Sequence, residues 1–354
     1  MGVMLHVLPV GAWQIQKING QEYLPLTEIA RFYKLPSEFK VDDNRINLEG
    51  GKISMEVQIN SRELFLNGAR HWLAYPVLES EKFGALIHRL DLAKSIEPAL
   101  RPQMIKNLAP VKTVVIDAGH GGQENGAGSV HGLEKDFALD VALRLRTLLD
   151  SAGYNTVMTR DRDVSMELQE RAAIANRYKD QNAIFVSIHF NGAANTSAWG
   201  AEIFSLTPRG MPSTNDDEGL QPHHVAARNG TKIEDASFAL SSAIHHSVAG
   251  NLSQFDRGIK RARFAVLHLT EIPAVLIEAG FLTNPLEGRM IATPAWRAKL
   301  ATSIFQGIDG YKMLAERGQS PKLMADYRRK LPTKVGLRDT VTAPPAAMIP
   351  MPSN

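Results

Sequence analysis

The pattern of apolar and polar positions divides the chain into two parts with different periodicities. In residues 1–100 apolar and polar positions alternate, as in 53–59 and 63–66, which is typical of half-buried strands. Asn67 and Gly68 follow the second stretch and predict a hairpin turn. Residues 27–33 predict a short helix with Thr27 as its N-cap. This part therefore predicts a small strand-rich N-terminal domain.

After a proline-containing linker at 101–111 the pattern changes to continuous apolar runs separated by stretches of helical periodicity. We predict strands at 113–117, 156–159, 183–188, 201–205, 264–267 and 274–277, and helices at 133–152, 168–180, 236–251 and 296–316. Continuous apolar strands are typical of a sheet that is buried on both faces. Residues 112–317 therefore predict an α/β domain, phosphorylase/hydrolase-like, with a largely parallel, mixed sheet flanked by helices.

Two segments do not fit packed elements. Residues 207–231 are rich in Gly, Pro, Asn and Asp and predict a long loop, of the kind that is functional or disordered. Residues 318–354 carry six prolines, Pro321, Pro332, Pro344, Pro345, Pro350 and Pro352, and predict a disordered tail.

Composition narrows the class of protein. The chain has 354 residues, a formal net charge of +3 and no cysteine, which excludes disulfides and thiolate metal sites. It has no basic stripe interleaved with aromatic residues, so we expect no nucleic-acid partner. It has no apolar run of about 18 residues, so we expect no transmembrane segment. Residues 1–13 lack a basic start and a small-residue cleavage site, and we expect them to begin a strand rather than form a signal peptide.

Candidate chemistry follows the predicted buried strands. His120, His189 and Glu278 each come after a different strand, and ligands of such sheets gather beyond the carboxyl ends of the strands. Glu134 lies at the start of a predicted helix. Taken singly, each histidine is compatible with a structural hydrogen-bonding role, and Glu134 with a first-turn charge. Together, two histidines and one glutamate form the ligand set of many hydrolytic zinc sites, which leaves Glu278 to take a proton from water.

Six stretches along this part resemble the zinc-dependent N-acetylmuramoyl-L-alanine amidases, and they occur in that family's order. They are Val-Ile-Asp-Ala-Gly-His-Gly-Gly (115–122), Gly-Leu-Glu-Lys-Asp (132–136), Met-Thr-Arg-Asp (158–161), Ser-Ile-His-Phe-Asn (187–191), Asp-Arg-Gly (256–258) and Val-Leu-Ile-Glu-Ala-Gly-Phe-Leu-Thr-Asn (275–284). The resemblance covers residues 111–316, which would form the catalytic domain.

The resemblance implies one Zn²⁺ held by His120, Glu134 and His189, with Glu278 as the catalytic glutamate. It implies hydrolysis of the amide bond between the N-acetylmuramoyl lactyl group and the L-alanine of peptidoglycan, in cell-wall remodelling or cell separation. The enzyme would then work in the cell envelope, periplasmic or secreted. We expect a monomer, and whether a protein activator acts on it stays open.

Other assignments are less direct. We assign substrate contacts to Asn191, Arg257 and His268, the last where the family often has an arginine after the Val-Leu stretch. The N-terminal domain would attach or position the enzyme on the wall, or merely stabilise it. His245 and His246 point about 100° apart on a helix, so we expect them on the surface.

The loop at 207–231 is expected to border the zinc, because we expect the strand before it to end at the same sheet edge as His189. Its donors Asp216, Asp217, Glu218 and His223 would then approach the open zinc position and restrain access to it, the alternatives being a substrate-binding loop or a solvated loop. Two other functions stay open at this point, a zinc exopeptidase on another α/β scaffold and a non-catalytic peptidoglycan-binding module.

Overall fold

A ten-stranded mixed sheet is the main element of the fold. The computed structural model describes residues 13–38, 42–106, 108–216, 221 and 225–328. The strands are β1 Gln16–Ile18, β2 Gln21–Pro25, β3 Arg45–Gly50, β4 Ile53–Gln58, β5 Glu63–Leu66, β6 Ala69–Trp72, β7 Leu78–Ser80, β8 Gly84–His88, β9 Thr113–Ala118, β10 Gly128–Ser129, β11 Gly132–Leu133, β12 Asn155–Met158, β13 Ala183–Asn191, β14 Ala201–Leu206, β15 Asp256–Ala262 and β16 Ala274–Phe281.

The helices lie between the strands and after the last one. They are α1 Leu26–Phe32, α2 Arg89–Asp91, α3 Glu97–Leu100, α4 Glu134–Ser151, α5 Leu168–Asn176, α6 Glu234–Leu252, α7 Ala265–His268, α8 Pro285–Ile291, α9 Pro294–Arg317 and α10 Met324–Arg328. A π-helical turn, Leu92–Ile96, joins α2 to α3. Among the described residues, every helix falls short of the length and apolar character that a membrane span needs.

Strand direction determines where the chemistry can gather. The sheet order is β12-β9-β13-β16-β14-β15-β6-β5-β4-β3. The first four strands are parallel to one another, whereas β14 is antiparallel to β16 and parallel to β15. The carboxyl ends of β9, β13 and β16 therefore meet the amino ends of β14 and β15 at one edge, which we call the site edge.

Both faces of the central strands are buried, which explains their continuous apolar sequences. On one face, Val114 and Ile116 of β9 pack with residues of α4, α6 and α9. On the other face, Val115 of β9 packs with residues near α5 and α7. The prediction of an α/β domain with a largely parallel, mixed sheet flanked by helices is confirmed.

The N-terminal unit has its own core and also shares the large sheet. A cluster that includes Leu26, Ile29 and Leu64 lies between α1 and strands β3–β5. Strand β6 pairs in parallel with β15, so the sheet runs without a break from this unit into the α/β part. The predicted hairpin joins β5 to β6, with Asn67 and Gly68 at φ angles of 51° and 78°. Thr27 is not the N-cap of α1, because the helix begins at Leu26 and Pro25 is the capping residue.

One predicted strand is wrong. Residues 264–267 begin the short helix α7, and the strand lies earlier, at Asp256–Ala262. This strand escaped prediction because it carries charged residues that are nevertheless buried. Lys260 donates to Glu202 at 2.6 Å, and Arg261 donates to the carbonyl of Leu206 at 3.1 Å. Ion pairs and carbonyls satisfy these side chains, so apolar periodicity does not mark the strand.

The expectation that His245 and His246 lie on the surface is also wrong, since both are buried. The Nε2 atom of His245 lies 2.6 Å from Asp256 Oδ1, and the backbone N–H of Met324 donates to His246 Nδ1 at 3.2 Å. Helix α6 is covered on nearly every side, by α9, by the sheet and by α10. Burial on all sides removes the amphipathic pattern that would distinguish an inner from an outer histidine.

The tail is ordered for longer than expected. Helix α10 packs on α6 with Met324 and Tyr327 buried, so residues up to Arg328 do not belong to a disordered tail. The remainder of the predicted tail, 329–354, lies outside the described residues, as do residues 1–12.

The described part of the loop at 207–231 does not border the predicted zinc site. Because β14 runs antiparallel to β16, the loop leaves from the edge opposite the site edge. It is also not merely solvated, since Met211 is fully buried and Thr214 N–H donates to the carbonyl of Arg261 at 2.8 Å. Asp216 accepts from the backbone N–H of Ser213 at 2.7 Å. Asp217, Glu218 and His223 lie outside the described residues.

Candidate metal centre

Three side chains with metal-binding atoms converge at the site edge. His120 follows β9, His189 lies near the end of β13, and Glu134 is the first residue of α4. Glu134 Oε1 lies 2.9 Å from His189 Nδ1 and 3.2 Å from His120 Nε2. One ligand atom from each residue lies within 4.8 Å of the others. The structure thus brings together the three residues that the sequence analysis singled out as ligands.

Glycines next to the ligands make this convergence sterically feasible. A side chain at Gly119 would overlap the ring of His189. Gly126 has a φ of +66°, and a Cβ atom there would lie 2.6 Å from the ring of His120. The loop between β9 and α4 therefore needs these glycines, because the backbone passes directly against the ligands.

Glu134 is held as a charged acceptor. Its Oε2 accepts from the backbone N–H of Ala127 at 2.7 Å, and its Oε1 accepts from that of Phe190 at 3.0 Å. Burial alone would raise the pKa of Glu134, but the hydrogen bonds to His120 and His189 outweigh burial and lower it. The start of α4 also favours negative charge. A buried carboxylate fixed in this way is suited to a cation.

A buried ionic network lies directly below the loop that carries His120. Asp117 accepts from Thr159 Oγ1 at 2.7 Å, from Ser187 Oγ at 2.7 Å and from Arg171 Nη1 at 2.8 Å. Although burial raises the pKa of Asp117, the charge of Arg171 and these hydrogen bonds lower it overall. Arg171 Nη2 donates to the carbonyl of His120 at 2.7 Å. The network therefore fixes the backbone at His120, one of the three candidate metal ligands.

Arg160 also fixes the loop that carries His120. It donates to the carbonyls of Ala118 at 2.9 Å, Gly119 at 2.6 Å and Lys135 at 2.8 Å, which ties the loop to the first turn of α4. Sequence reasoning did not identify Arg171. In the sequence Arg171 is a single arginine in a predicted helix, and the buried face of that helix can be recognised only from the fold.

Glu278 lies next to the three converging side chains. In the sheet register it pairs with His189 of β13 on one side and with Glu202 of β14 on the other, so the three side chains project from the same face. Its Oε2 atom is buried and has no hydrogen-bond partner among the described residues. Burial first, and then the carboxylates of Glu134 and Glu202, raise the pKa of Glu278 well above its usual range.

The residues assigned to substrate contact separate into two places. Asn191 Nδ2 donates to Glu202 Oε1 at 3.0 Å, and Arg257 Nε donates to Glu202 Oε2 at 2.9 Å, so both lie at the site edge. His268 lies in α7, after the carboxyl end of β15, and its Nδ1 is 3.0 Å from the carbonyl of Arg263. Since β15 runs away from the site edge, the structure does not bring His268 to the other candidates.

The donor set fits a zinc ion. Two imidazole nitrogens and one carboxylate oxygen converge from three elements, and a set of three protein ligands with a fourth position open is typical of hydrolytic zinc sites. The unpartnered, buried Oε2 of Glu278 adds an acceptor for a proton beside them. Thiolate ligands are excluded, because the chain has no cysteine.

The α/β part of the chain matches known proteins in sequence. A family model described as N-acetylmuramoyl-L-alanine amidase matches residues 114–310. The chain is 31% identical over 221 residues to N-acetylmuramoyl-L-alanine amidase AmiA of Escherichia coli K12, a match that covers 56% of this chain and 76% of AmiA. It is 30% identical over 256 residues to AmiC of Escherichia coli O6:H1, which covers 64% of this chain and 61% of AmiC.

Among solved structures, an N-acetylmuramoyl-L-alanine amidase from Clostridium difficile 630 is similar, with 30% identity and a TM-score of 0.48. The match covers 59% of this chain and all of the other. The match of the family model spans more than half of the chain and includes His120, Glu134, His189 and Glu278. This chain therefore belongs to the N-acetylmuramoyl-L-alanine amidase family.

Proposed function

We propose that the protein is a zinc-dependent amidase that cleaves the bond between the lactyl group of N-acetylmuramic acid and the L-alanine of the stem peptide. Membership of the family supports the reaction, amide hydrolysis in peptidoglycan. The observation that carries the zinc dependence is the convergence of His120, Glu134 and His189 beside the buried carboxyl of Glu278.

The three converging residues would hold the metal through His120 Nε2, His189 Nδ1 and Glu134 Oε1. When bound, zinc supplies a Lewis acid that activates water and polarises the amide carbonyl. The side chains of His120 and His189 keep 29% and 17% of their surface exposed, whereas that of Glu134 keeps 5%. The histidine side of the centre is therefore the side that a substrate can approach.

Glu278 is the group that moves protons. As a base it takes a proton from the attacking water, and as an acid it passes that proton to the departing alanine nitrogen. Glu278 can serve both steps because it lies in register with His189, beside the three converging residues. Its Oε2 has no protein partner among the described residues, so no hydrogen bond must break before the transfer.

Peptidoglycan, the proposed substrate, lies outside the cytoplasmic membrane. We therefore place the enzyme in the cell envelope, periplasmic or secreted, and we expect it to act as a monomer. A protein activator stays an open part of the proposal.

Digestion of purified sacculi with zinc present, followed by mass analysis of the fragments, tests the proposal. We expect stem peptides with a new L-alanine amino terminus and intact sugar strands, and we expect metal analysis to return one zinc per chain. Release of free amino acids with the sugar–peptide bond intact would indicate an exopeptidase instead. Binding to sacculi without new amino termini would indicate a non-catalytic module.

A further inference from the structure

The N-terminal unit reaches the site edge through strand β6, which lies against the start of β15. His71 pairs with Ile259 in the parallel register. The backbone N–H of Arg70 donates to Asp256 Oδ2 at 3.0 Å, and the indole N–H of Trp72 donates to the carbonyl of Arg257 at 2.8 Å. Two residues of β6 thus bind the Asp256 side chain and the Arg257 backbone.

The approach of the two strands is close. Gly258 has a φ of +89°, and a Cβ atom there would lie 2.9 Å from the carbonyl oxygen of Arg70. The other carboxylate oxygen of Asp256 accepts from Gly258 N–H at 2.8 Å and faces His245 Nε2 at 2.6 Å. The segment 256–258 is therefore fixed between the N-terminal unit and α6.

The fixed segment points the Arg257 guanidinium along the site edge. Its Nε donates to Glu202, and the guanidinium lies over the Phe281 ring at 4.9 Å. The side chain keeps 24% of its surface exposed, and Nη2 has no hydrogen-bond partner among the described residues. Lys260 also binds Glu202, at 2.6 Å, so this carboxylate is shared between two cations and does not pair with Arg257 alone.

The hydrogen bonds of the neighbouring carboxyl, Glu287, go to other groups. Glu287 is buried and accepts from the backbone N–H groups of Gly200 at 3.0 Å and Phe281 at 2.8 Å, and from Gln254 at 2.7 Å. The free donor atom of Arg257 is therefore available to an anion that comes from outside, and a carboxylate matches the guanidinium best.

The position of Arg257 also fits the length of a peptide. Glu202, to which Arg257 is bonded, lies two strands away from His189 in the sheet register. Neighbouring strands are about 4.8 Å apart, so the separation is roughly 10 Å. An extended chain covers about 3.5 Å per residue. A carboxylate two to three residues from the cleaved amide would reach Arg257.

We propose that the N-terminal unit is a positioning element of the active site, whose strand β6 fixes Arg257 to bind a carboxylate of the stem peptide. This inference rests on the proposed amidase function. It assigns to the unit a role in substrate binding and not only in stability.

The test measures kcat and KM on soluble muramoyl peptides whose stem carboxylates are either free or amidated. Arg257→Gln removes the cation, and Trp72→Phe removes one hydrogen-bond donor while it keeps the ring. Trp13→Phe is the matched control, because the Trp13 indole N–H is buried in the same unit without a partner among the described residues. Zinc content and Tm are measured for every variant.

With the free carboxylates, we expect Arg257→Gln to raise KM about 10- to 100-fold and Trp72→Phe about 3- to 10-fold, at nearly unchanged kcat. With the amidated peptide, the KM increases of both variants should be markedly smaller than with the free carboxylates, and Trp13→Phe should behave like the wild type with both substrates. Equal losses on both substrates, or a loss in kcat alone, would overturn the inference while leaving the amidase function intact. A wild-type enzyme that cleaves neither peptide would overturn the proposed function and the inference with it.

Discussion

His120 presents its ring from a backbone conformation that few side chains favour. Its φ angle is 57°, in the left-handed region. Arg171 compensates by donating to the carbonyls of Ala118 at 2.7 Å and of His120 itself at 2.7 Å. A guanidinium with planar, fixed donors can hold two carbonyls at once, whereas an aliphatic side chain of similar length cannot.

We therefore expect Arg171→Met to weaken zinc binding by about 10- to 100-fold, as is common when a group that orients a ligand is removed. Competition with a chelator of known affinity measures the effect directly and does not depend on turnover. Arg177→Met, on the exposed surface just after α5, is the control. Unchanged zinc affinity in a folded Arg171→Met protein would show that the loop holds its shape without the arginine.

Glu278 allows a second prediction at this scale. Glu278→Gln keeps the size of the side chain but can no longer accept the proton of water, so turnover of sacculi should fall by about 10²- to 10⁴-fold with full zinc content. Glu271→Gln, seven residues earlier and at the opposite edge of the sheet, should leave turnover unchanged. Near-normal hydrolysis by Glu278→Gln would mean that another group serves as the base.

At the scale of elements, the sequence predicts those strands and helices that have a clear pattern of apolar residues. Strands β9, β13 and β16 and helices α4 and α9 lie within a few residues of their predicted ranges, because each presents apolar side chains to a core on one or both faces. Strand β15 is missed, since Lys260 and Arg261 are buried by pairing rather than by apolar character.

The direction of a strand is a second feature that could not be predicted from the sequence. Residues 201–205 were rightly placed in a strand, but nothing local states that β14 runs against β16. The assignment of the loop 207–231 to the site edge was wrong for this reason, whereas His268, assigned by resemblance, lies beyond the far end of β15. The three residues with ligand atoms were easier to identify, because each directly follows or begins a well-marked element.

The burial of α6 leads to a pH prediction. Burial, followed by the charge of His245, lowers the pKa of His246 to about 3. The ordinary pKa of histidine is about 6.5. As the pH falls below 6.5, His246 therefore binds a proton in the unfolded chain but not in the folded chain. The stability that depends on neutral His246 is complete above pH 6.5 and is lost progressively toward pH 3.

His246→Asn keeps an acceptor for Met324 N–H but does not titrate. Between pH 7 and pH 5 the wild-type free energy of unfolding should fall by about 2 kcal/mol more than that of the variant, measured by urea unfolding at each pH. His71, whose pKa burial also lowers, is present in both proteins. The same change of unfolding free energy with pH in the two proteins would show that protonation of His246 is not the cause.

At the scale of the whole molecule, the N-terminal unit and the α/β part are joined by more than the pairing of β6 with β15. Lys94 forms ion pairs with Glu234 at 2.7 Å and with Asp235 at 3.1 Å, and Arg261 donates to the carbonyl of Lys94. These contacts connect the N-terminal helical segment to the start of α6. Separate unfolding would break buried charged contacts on both sides.

We therefore expect the two parts to unfold in one transition. Hydrogen exchange followed by mass spectrometry at increasing urea concentrations should show peptides from β4 and β5 losing protection at the same midpoint as peptides from β13. Loss of protection in the N-terminal strands at a clearly lower urea concentration would show that the shared sheet does not couple the two parts.

The reversal of β14 has a consequence for how such an enzyme can diversify. The chain enters β14 beside Glu278 and leaves it at the far edge, so lengthening the chain before this strand alters the cleft, whereas lengthening it afterwards does not. The segment 207–231 follows the strand, and Thr214 in its described part contacts Arg261 and Arg62. Residues added or removed after β14 would thus change contacts at the far edge of the sheet and leave the candidate metal centre in place.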